Sequence, residues 1–595
     1  VAPGQALAVM EAMKMEHVIT APAGGVVRAI PVAAGDAVYE GAALVFIELQ
    51  EVEGAAADAA DAVDLDAIRP DLALIRERHA LTLDEARPAA AAARHAQDQR
   101  TARENIDDLC DPGTFIEYGA LGLPTNMTRP HADVIRRYPA DGMVTGIGAV
   151  NGSLFGDPTA RCAVLAYDYT VLAGTQGAVN HRKTDRLLEL AGEWKLPVVL
   201  FTEGGGGRAG QRVTVARNDA GEPIHNTVGG AADVPTWRRL GRLSGLVPLV
   251  GVNSGFSFAG NAALLGCCDV IIATANSSIG MGGPAMVEGG GLGVFRPEEI
   301  GPMSVQEANG VVDIAVADEA AAVAAARAYL SYFQGPTTDW AAADQRILRT
   351  LVPENRRRGY DIRRVIEALA DTGSVLELRP AFGRAMITAL IRIEGRAVGA
   401  IANDPQYLAG AVDSDGSDKA ARFMKICDAF DLPILSLCDT PGIMVGPEAE
   451  RTGLVRHTAR MFVTSANLTV PLVAVVLRKA YGLGVLTMAL GSFKSTAMTL
   501  AWPTGEFAGM GLEGQVKLGH RAELAQIADP AQRARRYEDL LAAAYEHGRA
   551  IHQGESYGVD DVIDPADTRA IVAGVFASVR QPGREGKKRP SIDTW

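Results

Sequence analysis

Several features that define other classes of protein are missing from this sequence of 595 residues. No apolar run approaches the roughly 18 residues of a membrane-spanning helix, since the longest, such as Val470–Leu477, have strand length. The net charge is −14 and there is no long basic face, which argues against a nucleic-acid partner. No signal-peptide pattern is present either. These absences favour a globular protein that acts outside the membrane.

Cysteine is scarce, and its spacing excludes two kinds of framework. The six cysteines include no Cys-x-x-Cys pair, so we expect neither a metal site nor a disulfide framework. This usage fits a reducing compartment and predicts a cytoplasmic location. The six positions are Cys110, Cys162, Cys267, Cys268, Cys427 and Cys438.

What the sequence does contain, close to its beginning, is a lysine between two methionines. Lys14 lies in the run EAMKMEH at 11–17, with apolar segments at 7–10 and 18–20 on either side. That alternation predicts two short strands joined by a turn that exposes Lys14 to solvent. An isolated Met-Lys-Met is more simply interpreted as an ordinary surface hairpin. Further turn-and-strand patterns follow at 21–27, 32–38 and 44–47.

Residues 1–49 resemble the biotinyl carrier domain of biotin-dependent carboxylases, because Ala12-Met13-Lys14-Met15 is that family's attachment sequence. The resemblance implies biotin joined covalently to Lys14 by a biotin protein ligase. Lipoyl domains usually have an acidic residue and an alanine around their lysine, so the two methionines favour biotin. The family places its lysine near the middle of a two-fold repeat of strands, whereas 13 residues precede Lys14 here. We therefore expect a partial all-β (hammerhead) domain at 1–49 and a sequence that begins inside it.

A linker and a helical segment are predicted at 50–95. Residues 50–64 are mostly Ala, Asp, Glu and Val, a composition typical of a mobile linker. Helical spacing begins near Leu72. Thr82, placed before two acidic residues, predicts the N-cap of another helix that continues through the alanines at 89–93.

An internal repeat dominates the rest of the sequence. Each copy predicts a helix that opens at a lysine, then a buried strand, then a turn that begins with an acidic residue. The second copy follows the first by a constant 236 residues, and two similar α/β domains, which we place at 96–340 and 341–595, explain this. The matched pairs are Lys183 and Lys419, Arg186 and Arg422, Leu196-Pro197 and Leu432-Pro433, and Glu203 and Asp439. Residues 109–117 also echo 369–377 at a different offset.

Each copy has a second strand that leads into a glycine-containing turn and an apolar helix. In the first copy the strand is 248–252 and the turn 254–260, and in the second they are 471–476 and 478–484. Such turns let backbone N–H groups face a ligand without an intervening Cβ. Tight strand–helix turns also use glycine for structural reasons alone. It is the arrangement as two related pairs that favours a binding role.

From about Thr101 to Ile571 the sequence resembles the carboxyltransferase of acyl-CoA carboxylases, a duplicated crotonase-like α/β fold. The nearest subgroup is that of the single-chain carboxylases for longer acyl chains. The resemblance implies an acyl-CoA substrate and transfer of CO2 from carboxybiotin to the α-carbon of the thioester. It also implies a homo-oligomer, expected to be a hexamer, whose sites form between two chains. The most specific matches are DSDGSDKAARF at 413–423, DTPG at 439–442, RKAYG at 478–482, WPT at 502–504 and GMGLEG at 509–514.

This reaction forms two short-lived anions, one on the ureido oxygen of biotin and one on the enolate oxygen of the thioester. Each needs preorganised donors in a site with little water, and one such donor lowers the barrier by about 3–4 kcal/mol. By resemblance, the N–H groups of Gly205 and Gly206 hold the thioester oxygen. Those of Leu483 and Gly484 hold the ureido oxygen. In this family the ureido oxyanion itself takes the α-proton, so no side chain is named as general base.

The first turn departs from the family's Asp-Ser-Gly-Gly-Ala-Arg, because it reads Glu-Gly-Gly-Gly-Gly-Arg at 203–208. The four glycines keep the donors but loosen the loop. Leu483 stands where some relatives have glycine, and a backbone donor survives that change. We interpret Glu203 and Asp439 as turn caps rather than as acids. The position that sets acyl length is Val485-Leu486 here, where apolar residues suggest an acyl tail.

Three other functions use parts of the same pattern. A biotin-dependent decarboxylase or transcarboxylase runs the same half-reaction with another acceptor, and the sequence hardly separates it from a carboxylase. A crotonase-type hydratase or isomerase needs acid and base carboxylates in its pocket and leaves Lys14 unexplained. A non-catalytic carrier or scaffold leaves the paired glycine turns unexplained. No phosphate-binding loop is recognisable, so we expect a biotin carboxylase on another polypeptide or in a missing N-terminal part.

Overall fold

The computed structural model describes residues 1–51, 64–125, 127, 129–208, 219–220, 234–579 and 589–595. It contains two compact units, Val1–Glu77 and Arg78–Trp595. Within the described ranges, none of the helices is both long and apolar enough to cross a membrane. Most of the predicted linker at 50–64 lies outside the described residues.

The first unit contains two antiparallel strand pairs. Strands β1 (Ala6–Ala12) and β2 (Met15–Thr20) form the hairpin that the sequence predicted around Lys14. Strands β3 (Gly25–Ala29) and β4 (Phe46–Leu49) form the second pair. The strand predicted at 32–38 is wrong. These residues form a turn at Ala34-Gly35, where φ is +96° at the glycine, and irregular backbone on both sides.

The α-helices described before the first large sheet are Pro70–Ala80, Pro88–His95 and Ala102–Leu109. The prediction that Thr82 caps a helix start is wrong, because its hydroxyl donates to the carbonyl of His79 at the end of the preceding helix. The alanine run is helical as predicted, but its helix begins anew at Pro88, a residue well suited to the first turn. The third helix starts with a capping box between Thr101 and Glu104.

The first half of the large unit is built on a seven-stranded sheet. Its strands are β5 (Ile116–Glu117), β6 (Met143–Ala149), β7 (Arg161–Tyr167), β8 (Val198–Phe201), β9 (Leu249–Asn253), β11 (Val270–Thr274) and β13 (Ile314–Val316). The spatial order is β13-β11-β9-β8-β7-β6-β5. Strand β6 is antiparallel to both neighbours, and the other pairs are parallel. Strands β10 (Phe256–Phe258) and β12 (Ser278–Gly280) form a separate parallel pair.

The second half repeats this topology in an eight-stranded sheet. Its strands are β14 (Leu376–Leu378), β15 (Met386–Ile393), β16 (Arg396–Asn403), β17 (Ile434–Thr440), β18 (Leu472–Tyr481), β19 (Met498–Ala501), β20 (Glu506–Ala508) and β21 (Asp561–Val562). The order is β14-β15-β16-β17-β18-β19-β21, with β20 paired to β18. Again the second strand is antiparallel to both neighbours and the rest are parallel. The duplication predicted from the sequence repeat is confirmed.

Helices pack around both sheets, and in each half the helix predicted to open at the lysine begins five residues earlier, at Ala178 and at Ser414. The α-helices described in the first half are His131–Arg137, Gly152–Phe155, Asp157–Ala160, Ala178–Trp194, Thr236–Leu243, Gly260–Gly266, Pro284–Gly289, Met303–Gln306 and Glu319–Gln334. Those in the second half are Leu348–Leu351, Arg363–Leu369, Ser414–Ala429, Pro447–Glu450, Leu454–Ser465, Gly482–Met488, Leu512–Gly519, Arg521–Gln526, Pro530–His547, Ala550–Glu555 and Thr568–Ser578.

One hydrophobic core is shared by the two halves. Val199 and Val250 of the first sheet and Val476 of the second belong to the same buried cluster. Strands that are covered on both faces are apolar at nearly every position, which explains the continuous hydrophobic runs in the sequence. Of the described residues, Trp502 has the largest fully buried side chain, and its indole N–H donates to the Thr568 hydroxyl at 2.9 Å.

Lys183 and Lys419 are buried and are held in the same manner. Each ammonium donates to two backbone carbonyls, those of Ala140 and Met143 for Lys183 and those of Arg379 and Phe382 for Lys419. Burial lowers the pKa of Lys183 to about 8 and the pKa of Lys419 to about 7. The repeat seen in sequence is therefore a repeat of side-chain environments.

The echo between 109–117 and 369–377 also has a structural counterpart. Arg103 forms two hydrogen bonds with Glu117, and Arg363 forms two with Glu377. In both halves the carboxylate belongs to the edge strand that begins the sheet, so each pair fixes a helix to the same edge.

The C-terminal residues 589–595 join the two halves. Ile592 packs against Ile426 and Ala429 of the helix Ser414–Ala429. Its backbone also makes two hydrogen bonds of 2.9 Å with the hydroxyl of Ser244, which belongs to the first half. We call residues 589–595 the C-terminal strap.

Candidate active site

Lys14 occupies the tip of the β1–β2 hairpin. Ala12 pairs with Met15, and the two residues between them, Met13 and Lys14, have φ of +53° and +66°. A two-residue loop with both φ values positive is the turn type that matches the twist of paired strands. Met13 is 97% exposed and Met15 64%, and the Lys14 ammonium makes no ion pair within the described residues. An exposed lysine at the tip of a paired hairpin fits covalent attachment of biotin.

The first glycine turn, residues 204–207, follows β8. Two backbone hydrogen bonds join Gly204 to strand β10. The N–H of Gly204 donates to the Phe256 carbonyl at 2.7 Å, and the N–H of Phe258 donates to the Gly204 carbonyl at 2.9 Å. Gly206 has φ of +84°, and a Cβ there would lie 2.6 Å from that of Ala259, in the second turn of the same half. The two turns predicted in the first half therefore touch.

The donors predicted on this turn are not open in this structure. The N–H of Gly205 donates to the carbonyl of Ala173 at 3.1 Å, and the N–H of Gly206 donates to Oδ1 of Asn261 at 3.0 Å. The four glycines keep their N–H groups, as the sequence indicated, but neighbouring loops supply acceptors to those of Gly205 and Gly206. The amide of Asn261 also donates to the carbonyls of Gly174 and Thr202 and so joins three segments.

A further pair of turns was missed from the sequence. Leu172-Ala173-Gly174 and Leu408-Ala409-Gly410 are separated by the same 236 residues, and all six have φ between +48° and +84°. Positive φ is costly for leucine and alanine, so such turns are maintained only by surrounding structure. The identical tripeptide at the known offset was the signal that could have identified them.

Glu203, the acid at the head of the first turn, is not a turn cap. Its carboxylate is buried and accepts two hydrogen bonds from the guanidinium of Arg94, of 2.9 and 2.6 Å. Burial raises the pKa of Glu203 to about 7, the charges of Glu319 and Asp168 add to this, and Arg94 opposes it. The interpretation as a cap is wrong for this residue, which instead forms a buried ion pair.

At its other end the first turn is held by Arg208. Its guanidinium lies 2.6 Å from Oδ1 of the fully buried Asp141 and donates to the carbonyl of Thr175 at 3.0 Å. The second oxygen of Asp141 accepts from the N–H of Asn180, near the start of the helix Ala178–Trp194. The turn is thus anchored by a buried ion pair on either side of its glycines.

The corresponding turn of the second half, residues 439–442, is built differently. Asp439 is fully buried and accepts from Nε of Arg478 at 3.1 Å and from both the N–H and the ammonium of Lys479, at 3.1 and 3.3 Å. Lys479 belongs to strand β18 and not to the turn, so the interpretation of Asp439 as a turn cap is wrong as well, and this residue instead forms a buried ion pair that joins two strands. Pro441 stands at the position that Gly205 occupies in the first half.

Leu483 and Gly484 lie in the first turn of the helix Gly482–Met488. The helix itself provides no acceptor for N–H groups at this position, and no other described group accepts from these two. The Leu483 side chain is 59% exposed, whereas Gly484 is buried against Gly442. The structure therefore presents two adjacent N–H groups at the positive end of a helix dipole.

The residues proposed to set acyl length follow directly. Val485 is buried in the shared core, and Leu486 is partly buried against it. Both lie on the core side of the helix in this chain, so their apolar character has a packing explanation.

Comparison with known proteins decides the family. Residues 93–585 match the carboxyl transferase domain family, and residues 1–47 match the biotin-requiring enzyme family. The chain belongs to the carboxyl transferase family. Its relatives include several propionyl-CoA carboxylase beta chains, and the chain is a carboxyltransferase of this beta type with a biotin carrier domain.

Three similar proteins show how much of this carboxyl transferase is shared with its relatives. The methylmalonyl-CoA carboxyltransferase 12S subunit of Propionibacterium freudenreichii subsp. shermanii is 32% identical over 508 residues, 83% of this chain and 91% of the relative. A solved single-chain, multi-domain long-chain acyl-CoA carboxylase is 51% identical with a TM-score of 0.80. A solved transcarboxylase 12S hexamer is 30% identical with a TM-score of 0.72, covering 87% of this chain and 97% of that one.

The lengths of these matches differ. The match to the long-chain carboxylase covers 97% of this carboxyl transferase and 54% of that chain, so our sequence spans about half of its length. The predicted fold class, duplicated crotonase-like domains preceded by a biotinyl domain of strands, is confirmed by these likenesses.

Proposed function

We propose that this chain transfers a carboxyl group from biotin on Lys14 to the α-carbon of an acyl-CoA thioester. Biotin attached to Lys14 supplies the activated carboxyl group. The observation that carries the proposal is the pair of unengaged N–H groups of Leu483 and Gly484 at a helix start. Donors fixed in this way stabilise an oxygen on which negative charge develops, at no cost in reorganisation.

In our proposal the Leu483 and Gly484 N–H groups hold the ureido oxygen of biotin, and the first glycine turn holds the thioester oxygen. Gly205 and Gly206 would exchange their present acceptors, the Ala173 carbonyl and Asn261 Oδ1, for the substrate oxygen. The anchors at Glu203 and Arg208 would keep the turn in place during that exchange. The chain is then able to hold two oxyanions with peptide N–H groups alone, one in each half.

The proposed assembly is a hexamer in which each site combines the first half of one chain with the second half of another. The solved transcarboxylase 12S relative is a hexamer, which supports this. A biotin protein ligase and a biotin carboxylase are the further partners, and the cytoplasm is the proposed location. The divisions at 1–49, 50–95, 96–340 and 341–595 also remain proposals.

The carrier role is tested by expressing the chain together with a biotin ligase and probing it with labelled streptavidin. We expect label on the parent chain and none on Lys14→Arg, which keeps the charge but cannot be biotinylated. Label on both chains would place biotin elsewhere, and an unlabelled parent would refute the carrier role.

The transferase role is tested in the reverse direction. The purified chain is given carboxyacyl-CoA thioesters of increasing acyl length together with free biotin, and conversion to acyl-CoA is followed by chromatography. We expect biotin-dependent conversion and a preference for longer chains, in line with the 51% identical long-chain relative. An enoyl-CoA hydratase assay on the same preparation is expected to show no turnover, and turnover there would favour the hydratase alternative.

A transcarboxylase is the second candidate, since the 12S subunit resembles the chain over 91% of its own length. The acyl-CoA half-reaction is common to both candidates, and they differ in the source of the carboxyl group. Adding a biotin carboxylase with ATP and bicarbonate should give net carboxylation of acyl-CoA if the chain serves a carboxylase. Carboxylation only from another carboxylated acid would support the transcarboxylase.

A further inference from the structure

The first glycine turn contains no side chain of its own that could fix its shape between Gly204 and Gly207. Its N-terminal end is fixed instead by Glu203, whose carboxylate reaches back to Arg94 of the helix Pro88–His95. Arg94 lies 109 residues earlier in the chain, at the end of the segment predicted as a linker followed by helix. A residue outside both glycine turns thus contacts the residue at the head of one of them.

Arg94 is itself held rigidly. Its Nε donates to the carbonyl of Arg100 at 2.9 Å, and one terminal nitrogen donates to Oε1 of Gln99 at 2.9 Å. The guanidinium also lies 5.5 Å from the centre of the Tyr169 ring. Because the arginine is fixed from three sides, it transmits a defined position to the carboxylate that it binds.

The space for this ion pair depends on one glycine. A Cβ at Gly255, which has φ of +78°, would lie 2.5 Å from Oε1 of Glu203 and 2.9 Å from Nε2 of Gln99. Gly255 belongs to the second turn of the same half. Both glycine turns of the first half therefore close on the Arg94–Glu203 pair.

The neighbouring carboxylates have other partners. Glu319 lies 3.7 Å from Arg94, but its oxygens also accept from the N–H of Arg100 at 2.6 Å and from Asn105 at 3.2 Å. Asp168 pairs with Arg87 at 2.9 Å. Among the residues that the structure describes, Glu203 has Arg94 as its cationic partner.

We propose that Arg94, acting through Glu203, is a positioning residue that sets the geometry of the first glycine turn for carboxyl transfer. This rests on the proposed function, in which that turn receives the thioester oxygen. The four glycines that loosen the loop in sequence are compensated by a longer acid, glutamate where the family has aspartate, that spans the distance to Arg94. The positioning acts on the transition state, so it changes kcat more than KM.

A pH dependence follows from the same contact. The charged or titratable groups that face Glu203 are Arg94 from the helix Pro88–His95, Glu319 from the helix Glu319–Gln334, and Asp168 and Tyr169 from the loop after β7. Since burial and the two carboxylates raise the pKa of Glu203 to about 7, it gains a proton as the pH falls below neutrality. The neutral acid binds Arg94 less strongly, and kcat falls on the acid side.

The test compares kcat, KM and pH profiles of Arg94→Lys, Glu203→Gln and the double variant in the biotin-dependent conversion of carboxyacyl-CoA. Arg94→Lys should lower kcat roughly 10- to 100-fold with little change in KM, because a lysine cannot bind the carboxylate through two hydrogen bonds. Glu203→Gln should lower kcat and should also abolish the fall of kcat below about pH 7, which we call the acid limb of the pH profile. The double variant should be no worse than Arg94→Lys alone, since both changes break one contact.

Arg103→Lys is the matched control. Arg103 lies on the next helix, Ala102–Leu109, and also forms two hydrogen bonds with a carboxylate, that of Glu117. This variant should keep the parent kcat and pH profile. Parent-like kcat in Arg94→Lys, or an equal loss in the control, would overturn the inference, as would additive losses in the double variant. If Arg94→Lys does not fold, the pH profile of Glu203→Gln tests the inference instead. An acid limb that persists in Glu203→Gln would overturn the inference. Failure of the proposed function is distinct, since the parent itself would then be inactive.

Discussion

Gly484 packs directly on Gly442, so closely that a Cβ on Gly484 would lie 2.6 Å from both Cα and the carbonyl carbon of Gly442. The two glycine turns of the second half therefore meet backbone to backbone. The first half makes the equivalent contact between Gly206 and Ala259. In each half, one turn holds the other in place.

The first prediction concerns that contact. Gly484→Ala should lower kcat about 100-fold, because the backbone of Gly442 cannot yield and the N–H groups of the helix start are displaced. Gly241→Ala is the control, since nothing lies within 4 Å of a Cβ there and alanine in a helix stabilises by roughly 0.5–1 kcal/mol. Steady-state kinetics and thermal unfolding of both variants check this. Full activity in Gly484→Ala would contradict it.

The second prediction isolates a single donor. Leu483→Pro removes the N–H while keeping a residue that the first turn of a helix tolerates. Loss of one oxyanion donor should lower kcat by roughly 100- to 1,000-fold. Leu483→Ala, which keeps the N–H and deletes an exposed side chain, should stay within about two-fold of the parent. Equal rates in the proline and alanine variants would remove Leu483 from the site.

The third prediction uses the buried lysines. Because the pKa of Lys419 is lowered to about 7, the folded chain releases a proton that the unfolded chain keeps up to about pH 10. The unfolding free energy should therefore rise with pH between about 7 and 10. In Lys419→Met this rise should shrink by a few kcal/mol. Thermal unfolding across that pH range is the measurement, and identical slopes in the parent chain and in Lys419→Met would contradict the assignment.

The fourth prediction concerns the C-terminal strap. Ile592→Ala should destabilise the large unit by about 2–3 kcal/mol, because it empties a buried site between the halves. Exposed Ile551→Ala should change stability by less than about 0.5 kcal/mol. Denaturant unfolding compares the two. Equal stabilities would mean that the strap lies on the surface without holding the halves together.

The duplication was predictable because it depends on local patterns that repeat. The lysine, the Leu-Pro pair and the acid recur in register, and each reports a helix, a strand or a turn. The hairpin at Lys14 was predictable for the same reason, since alternation and turn length are read over a few residues. Helix starts were missed because the first residues of each helix, such as Ser414, make their contacts before the apolar spacing begins.

What could not be predicted depends on contacts between distant segments. The sequence around Gly205 does not indicate that Ala173 accepts its hydrogen bond, and the sequence around Glu203 does not indicate that Arg94 is its partner. Both contacts depend on how strands from separate parts of the sequence are ordered in the sheet. The tripeptides at 172–174 and 408–410 were predictable in part. Their spacing of 236 residues can be seen in the sequence, but their left-handed backbone conformation cannot.

The substitution at one position of the repeat has a consequence for how the halves differ. Gly205 in the first half corresponds to Pro441 in the second, and proline has no N–H to donate. The two repeated turns are thereby chemically unequal, because the N–H that Gly205 donates to the Ala173 carbonyl has no counterpart at Pro441. In the proposed function the second half therefore takes its donors from the helix start at Leu483, and this single proline is enough to give the two halves different roles.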